Sequence, residues 1–404
     1  MTNRKILVSG ASIAGPCLAY WLHRYGFEVT VVEKSPSLRG GGYAIDIRGT
    51  AHDVVSRMGL LPQLRAAHVN TERISFIDAD GLAISSIRPE ALSGGVEGLD
   101  LEVRRGDLAE ALYALVKDDI EFLFNDSIAT LDDGGDRVDV TFESGINRNF
   151  DLIIGADGLH SKTRRLVFGP EEDFDRYFGY SFAGFTLSNV FGLVREAVVW
   201  NAPGRAAVLY AHEPSDRLQG FLAFAQDKPP INSFRHPEDQ RNLVASKFPE
   251  QVSHVPHLVT AMREADDLFF DVVSQIRMPA WAKGRIALVG DAAYATSFLS
   301  GQGTSVSLVG AYVLAGELSS RANHRDAFAA YEQKMRPFIE QNQALVSEGG
   351  IFMLPRTQGI IDARNERLRN PTTLSRPKNR AAHIALDLPD YQHTEPRSTQ
   401  SQDT

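Results

Sequence analysis

Cysteine is almost missing from these 404 residues: Cys17 is the only one. A lone thiol excludes an internal disulfide and any cysteine-built zinc cluster, and its place in the first expected helix suits a small buried residue. Long apolar runs are missing too. No stretch reaches the ~18 residues that a membrane span needs, and Met1 to Gly10 reads as a strand entering a turn, not as a signal segment. Excess positive charge is also absent. Lys and Arg number 42 against 51 Asp and Glu, a net charge of −9, which argues against a nucleic-acid footprint. The short basic stretch Arg376 to Arg380 reads as a solvated loop. These absences leave a cytoplasmic protein with no membrane and no nucleic-acid partner as the expectation.

What is present suffices for ordinary globular cores: 43% apolar and 23% charged residues, in a length that suggests two or three structural units. Residues 5–9 are apolar and β-branched, as in a buried parallel strand. Gly10 to Gly15 turns the chain into a helix that stops at Gly26, and Glu28 to Glu33 supplies a second strand, so the chain opens on a βαβ unit. A helix over 50–58, strands over 73–78 and 83–87, a helix over 107–116 and strands over 136–142 and 151–154 follow. From about 173 to 277 short alternating segments (196–200, 206–210, 220–225) separated by Pro, Gly and Asp predict a largely antiparallel sheet, with helices near 239–248 and 256–265. A buried strand at 285–289, a small-residue helix at 303–318 and a long helix at 326–348, bent by Pro337, complete the pattern.

Three glycine and acid signals carry the chemistry. In the first, KILVSGASIAG, Gly10 permits a sharp turn and Gly15 a close helix–strand approach. Ser12, the small residue at the middle glycine position, with Ile13 and Ala14 beside it, leaves room for a diphosphate at the helix N-terminus, where free N–H groups favour anions. Glu33, eighteen residues past Gly15 and followed by Lys34, is placed to take ribose hydroxyls. The second signal is Gly155-Ala156-Asp157-Gly158 with Ser161 and Arg164. The third is Gly290-Asp291-Ala292-Ala293 with Gly301-Gln302-Gly303. Read singly, the second is a turn and the third a helix cap. In this order and spread the three describe a site for one large two-headed cofactor, FAD.

On these motifs the chain, to about residue 350, resembles the class A flavoprotein monooxygenases built like p-hydroxybenzoate hydroxylase, and within them the tetracycline-inactivating monooxygenases. The resemblance implies an α/β fold: a discontinuous Rossmann-like FAD-binding domain (1–72, 96–172, 278–325), an inserted mainly antiparallel substrate domain (73–95, 173–277) and a long C-terminal bridging helix (326–350); past Asp390 the polar composition reads as a disordered tail (391–404). It assigns Gly10, Ser12, Gly15 and Glu33 to the ADP half of FAD. Asp157, Gly158 and Arg164 fall to FAD and the passing nicotinamide, Asp291 to the ribityl chain, and Gly301, Gln302 and Gly303 to the flavin ring. Arg105 matches an arginine that reaches the flavin. In RGGGYAIDIRG, Arg39 resembles a nicotinamide contact and Asp46 a flavin-side contact. NADPH or NADH would reduce FAD, and O2 adding at the flavin C4a would give a hydroperoxide that oxygenates a polycyclic aromatic or polyketide-like substrate. No metal is implied, and the expected assembly is a monomer or weak homodimer.

The third motif departs from the family pattern. Tyr294 stands where a histidine is usual, and Phe298 replaces the proline that lies beside the flavin's reactive edge. Two other uses of the scaffold therefore stay open: a redox-neutral cyclase or isomerase, and a protein that sequesters a drug-like compound. The inserted sheet is rich in aromatics (Phe182, Phe185, Phe191, Trp200, Tyr210, Phe221, Phe224), alternate ones being candidates to face a flat substrate, with His212 and Arg195 as possible polar contacts.

Overall fold

The computed structural model describes residues 4–38, 40, 42–93, 96, 98–212, 215–230, 236–346, 352–369 and 379–391. Its organising element is a six-stranded sheet in the order Ala282–Lys283, Ile286–Leu288, Leu152–Gly155, Lys5–Ser9, Glu28–Glu33, Glu121–Phe124. All neighbours are parallel except the Ala282–Lys283 edge. Val8 pairs with Val31 on one side and Ile154 on the other. Ile6, Leu7 and Val8 are fully buried, each contributing about 1.5–3 kcal/mol by leaving water, which is why these strands read as unbroken apolar runs. The helices Ala14–Arg24 and Gly303–Ser320 share a core with one face. On the other face lies a three-stranded antiparallel sheet, Ile128–Asp133, Val138–Phe142 and Asn147–Phe150.

A second sheet has seven strands: Phe269–Ile276, Asp175–Ser188, Arg217–Ala225, Arg205–Tyr210, Glu196–Ala202, Arg73–Ile77, Ala83–Ile87. It is antiparallel apart from the pairing of Glu196–Ala202 with Arg73–Ile77. Its outer face buries Phe185, Trp200, Leu222 and Phe224 against the helices Pro237–Lys247 and Val255–Glu264. On its inner face lie Tyr180, Phe182, Ala223 and Val273, covered by Leu299 and Leu354, with Phe76 and Val199 under Phe352 and Leu368.

The expected α/β class with an inserted, mainly antiparallel sheet and a long late helix is the architecture observed. The longest strand, Asp175–Ser188, carries no alternation because both of its faces are covered, and its register breaks between Tyr177 and Ser181. The long helix runs His324–Ala344 with Pro337 inside it and Asn323 accepting from the Arg325 N–H at 2.9 Å as its cap; residues 347–350 of the expected helix lie outside the described residues. Two later helices, Gln358–Arg369 and Asn379–His383, had no clear sequence signal. Of the expected tail, Tyr391 packs its ring against Gly316 and donates to Glu317 at 2.6 Å; 392–404 lie outside the described residues. Among the described residues no helix is long and apolar enough to cross a membrane.

Candidate active site

The crevice begins where the strand Lys5–Ser9 ends. Gly10 has φ 107°, and a Cβ there would sit 2.5 Å from the Ala156 carbonyl oxygen. A Cβ on Gly15 would overlap the Gly10 carbonyl, so the turn is this tight only because both side chains are absent. Ile13 and Ala14 are buried in it, and the helix Ala14–Arg24 starts without a side-chain cap. Its first N–H groups therefore have no internal partner, as an anion site requires. Glu33 accepts from the Ala11 N–H at 2.8 Å and the Ser35 N–H at 2.9 Å, so its carboxylate fixes the turn itself. Lys34 beside it is exposed. Arg105 reaches across the turn and donates to Ser12 Oγ at 2.7 Å. Arg39 lies outside the described residues.

The second motif is spent largely on the protein. Asp157 accepts from Ser161 Oγ at 2.5 Å and from the Thr163 N–H and Oγ1 at 2.9 Å each, holding the start of the helix Lys162–Val167. Arg164 is fully buried and donates to Ala292 O at 3.0 Å, Leu159 O at 2.6 Å and Glu171 Oε2 at 2.6 Å. It braces the GADG loop against the GDAA helix. Gly158 has open space beside it.

Asp291 behaves differently. Its carboxylate accepts no hydrogen bond among the described residues, although it sits on the crevice floor where a Cβ on Gly303 would be 3.8 Å away. Burial first, and Asp271 second, push its pKa up to about 6, with Arg105 and Arg164 opposing. A desolvated carboxyl without a protein donor fits a ligand rich in hydroxyls. Asp46 lies against the neighbouring turn, 3.3 Å from where a Gly301 Cβ would be, and accepts from Arg48 Nη2 at 2.6 Å. Gln302 Oε1 is buried without a partner, and the helix Gly303–Ser320 has no side-chain cap. Uncapped N–H groups at two helix starts, one orphaned carboxylate and one orphaned amide oxygen surround the same space. The chemistry of these residues fits a flavin dinucleotide.

Opposite the crevice the inner face of the seven-stranded sheet is aromatic. Phe298, 44% exposed, stacks on Phe182 at 4.7 Å and 21°. Tyr43 meets Phe298, Phe221 and Phe269 with centroids 6.3, 6.0 and 6.2 Å apart. Of the aromatics singled out in the sequence, Phe182, Tyr210 and Phe221 face this side, whereas Phe185, Trp200 and Phe224 belong to the outer core. Phe191 is exposed and meets His257 edge-on. Tyr43 and Phe269 were missed; Tyr43 had a signal, as the one aromatic in a glycine-rich loop. Tyr294 is not on this face. It is buried against Trp281, its hydroxyl above Gly310 and 3.0 Å from the donating Tyr331 hydroxyl, and burial raises its pKa to about 12.

A polar edge adjoins the aromatic one. Tyr210 donates to Glu102 at 2.6 Å and Thr71 to the same carboxylate at 2.9 Å. Burial, with Asp46 adding, raises Glu102 to about 6. His212 meets Tyr210 edge-on at 4.7 Å, and both its ring nitrogens are buried without partners. Burial, and then Arg104, lower it to about 4, so it is neutral. Arg195 is no part of this edge; it pairs with Glu72 at 3.3 Å on the surface.

One feature of the site had no sequence signal. His160 donates from Nδ1 to Glu171 at 2.7 Å and from Nε2 to Asp271 at 3.0 Å. Each ring nitrogen faces an acceptor-only carboxylate, so both carry protons. Burial opposes the charge, but Asp271 and Glu171 override it and push the pKa up to about 10. Among the described residues no cluster of His, Cys, Asp and Glu could hold a metal ion.

Comparison with known proteins agrees with this geometry. Residues 3–345 match the FAD binding domain family. An uncharacterized protein of Mycobacterium tuberculosis is 44% identical over 347 residues, 85% of this chain and 93% of its own length. A flavin-dependent monooxygenase from an unknown prokaryotic organism is 38% identical over 393 residues, 96% of this chain and 99% of its own. The crystal structure of the tetracycline destructase Tet(55) superposes with a TM-score of 0.82 at 36% identity, covering 96% of this chain and 99% of that one. With the match spanning both strand systems and all three glycine motifs, the chain belongs to the FAD binding domain family.

Proposed function

We propose that the chain is an FAD-dependent monooxygenase that consumes NADPH or NADH and O2 to oxidise a polycyclic aromatic or polyketide-like small molecule. The observation that carries this reading is the aromatic wall of Phe182, Phe298, Tyr43 and Phe221, which adjoins the GQG turn where the Gly301 N–H donates to Phe298 O at 3.2 Å. FAD, when bound, supplies the redox chemistry, passing electrons from the nicotinamide to dioxygen. The protein supplies placement. Asp291 and the helix starts hold the cofactor, and the aromatic wall takes a flat substrate and excludes water. The neutral His212 imidazole and the Glu102–Tyr210 pair offer a phenol or enol its hydrogen-bond partners. Names of relatives support the reading: a flavin-dependent monooxygenase and a tetracycline destructase. It carries with it a cytoplasmic location and a monomer or weak homodimer.

The test is NADPH and NADH consumption by the purified FAD-loaded protein, with O2 uptake followed in parallel, against tetracyclines and aromatic polyketides. A compound that accelerates both and gains the mass of one oxygen atom is the expected result. Phe298 at the family's proline position favours one second reading, a redox-neutral cyclase or isomerase. Conversion of a compound without mass change while FAD stays oxidised would establish that reading and end the first.

A further inference from the structure

A cavity of about 370 Å³ opens beside the aromatic wall, between the start of the strand Asp175–Ser188, the end of Phe269–Ile276, Leu299 and the segment Leu354–Arg356. Arg176, Arg277 and Arg356 all line it. Two arginines nearer the crevice are neutralised, Arg48 by Asp46 and Arg164 by Glu171. These three have no carboxylate within ion-pair distance among the described residues. Arg356 donates to the carbonyls of Phe178 and Gly179 at 3.1 and 3.2 Å and lies 4.6 Å from the Tyr180 ring. Arg277 is aimed by Gln275 Oε1 at 3.0 and 3.1 Å. That amide is fully buried and is itself fixed by donating to Gln343 O at 2.7 Å and Thr296 O at 3.2 Å. Arg176 lies over Phe178. Glu340 acts on Arg277 through space only.

Three guanidinium groups held by neutral partners keep their full charge for a ligand. Their planar forks match phosphate oxygens, and the Phe178 and Tyr180 rings, each under one of the guanidinium groups, hold those groups in place. A positive island on a chain of net charge −9 also draws anions toward this mouth of the protein. Position supplies the last step. Tyr180 is two residues from Phe182 on the same strand face, about 7 Å along it, and Leu299 follows Phe298, which stacks on Phe182. A dinucleotide held here by its phosphates would direct its other ring toward the aromatic wall.

We propose that this arginine-lined cavity binds the phosphorylated adenosine end of the nicotinamide reductant. The proposal rests on the reading that a nicotinamide reduces the flavin, and it predicts a preference for the nucleotide bearing the additional 2′-phosphate. The probe is adenosine 2′,5′-bisphosphate, titrated calorimetrically into the FAD-loaded protein at low salt, with unphosphorylated adenosine as control. The bisphosphate should bind at least tenfold tighter than adenosine. Arg176→Ala and Arg277→Ala, whose guanidinium groups are exposed, should each weaken it about tenfold, the usual scale for a charge-assisted hydrogen bond. Lysine at either position should recover part of the loss, and FAD content and thermal midpoint should not change. In turnover the KM for NADPH should rise more than that for NADH. Unchanged bisphosphate binding in the Arg176→Ala/Arg277→Ala double variant would overturn the proposal. So would a raised KM for the organic substrate with bisphosphate binding intact, which would give the cavity to an acidic enol of that substrate. The titration involves no turnover, so its failure is separable from a failure of the oxygen-uptake assay.

Discussion

Asp291 carries the sharpest conflict at the level of single residues. Its pKa rises from 3.8 to about 6 on folding, and a carboxyl raised in the folded state favours folding only while it is protonated. That contribution is complete below about pH 4 and is lost as pH rises through about 6. At neutral pH the charged group costs the apoprotein on the order of 1–3 kcal/mol. Asp291→Asn should therefore raise the thermal midpoint of the apoprotein at pH 7.5, with the gain shrinking toward pH 4, while weakening FAD binding; a midpoint that falls would show that the carboxylate is satisfied. Phe298 makes a smaller claim. A stacked aromatic pair is worth about 1 kcal/mol, or roughly fivefold in binding, so Phe298→Ala should raise the KM of a flat substrate about fivefold and leave FAD content unchanged.

At the scale of elements, legibility in the sequence followed from how local the cause was. Gly10 and Gly15 announce the first turn because a Cβ at either would strike backbone that the same βαβ unit or its neighbour strand supplies. The strand Lys5–Ser9 announces itself because it is buried on both sides by apolar partners. The strand Asp175–Ser188 is buried on both sides as well, but by a helical layer outside and by Leu299 and Leu354 inside, so neither period showed. His160 could not be found at all: its partner Asp271 lies 111 residues away, and only the packed fold brings them together. That bridge joins the GADG loop to the edge strand Phe269–Ile276. Its pKa, raised from 6.5 to about 10, gives stability that is full below about pH 6.5 and lost as pH rises through about 10. The ring is substantially exposed, so solvent reduces the effect to about 1 kcal/mol or less. The midpoint should decline over that alkaline window in the parent and stay flat in His160→Gln. A parallel decline in both would remove the bridge from the account.

Across the whole molecule, the two sheets close on a space with more hydrogen-bonding groups than internal partners. Two uncapped helix starts and the Asp291 carboxylate border it, Gln302 Oε1 beside them is buried without a partner, and among the described residues no donor is bonded to the Asp291 carboxylate. Such a molecule is incomplete without its ligand, and its stability should be tied to FAD more steeply than packing suggests. Binding to the folded state alone stabilises by RT ln(1 + [L]/Kd), about 2.7 kcal/mol at a hundredfold excess over Kd. In a chain of this length that corresponds to a rise in midpoint of about 3 °C. Removing FAD should lower the midpoint by that amount, and readdition should restore it along the logarithmic curve. The same titration on Asp291→Asn should start from a higher apoprotein midpoint and climb less, since the variant has lost the group that FAD relieves. If both proteins climb equally, the carboxylate is not where the polyol chain binds, and the orphaned groups of the crevice need another occupant.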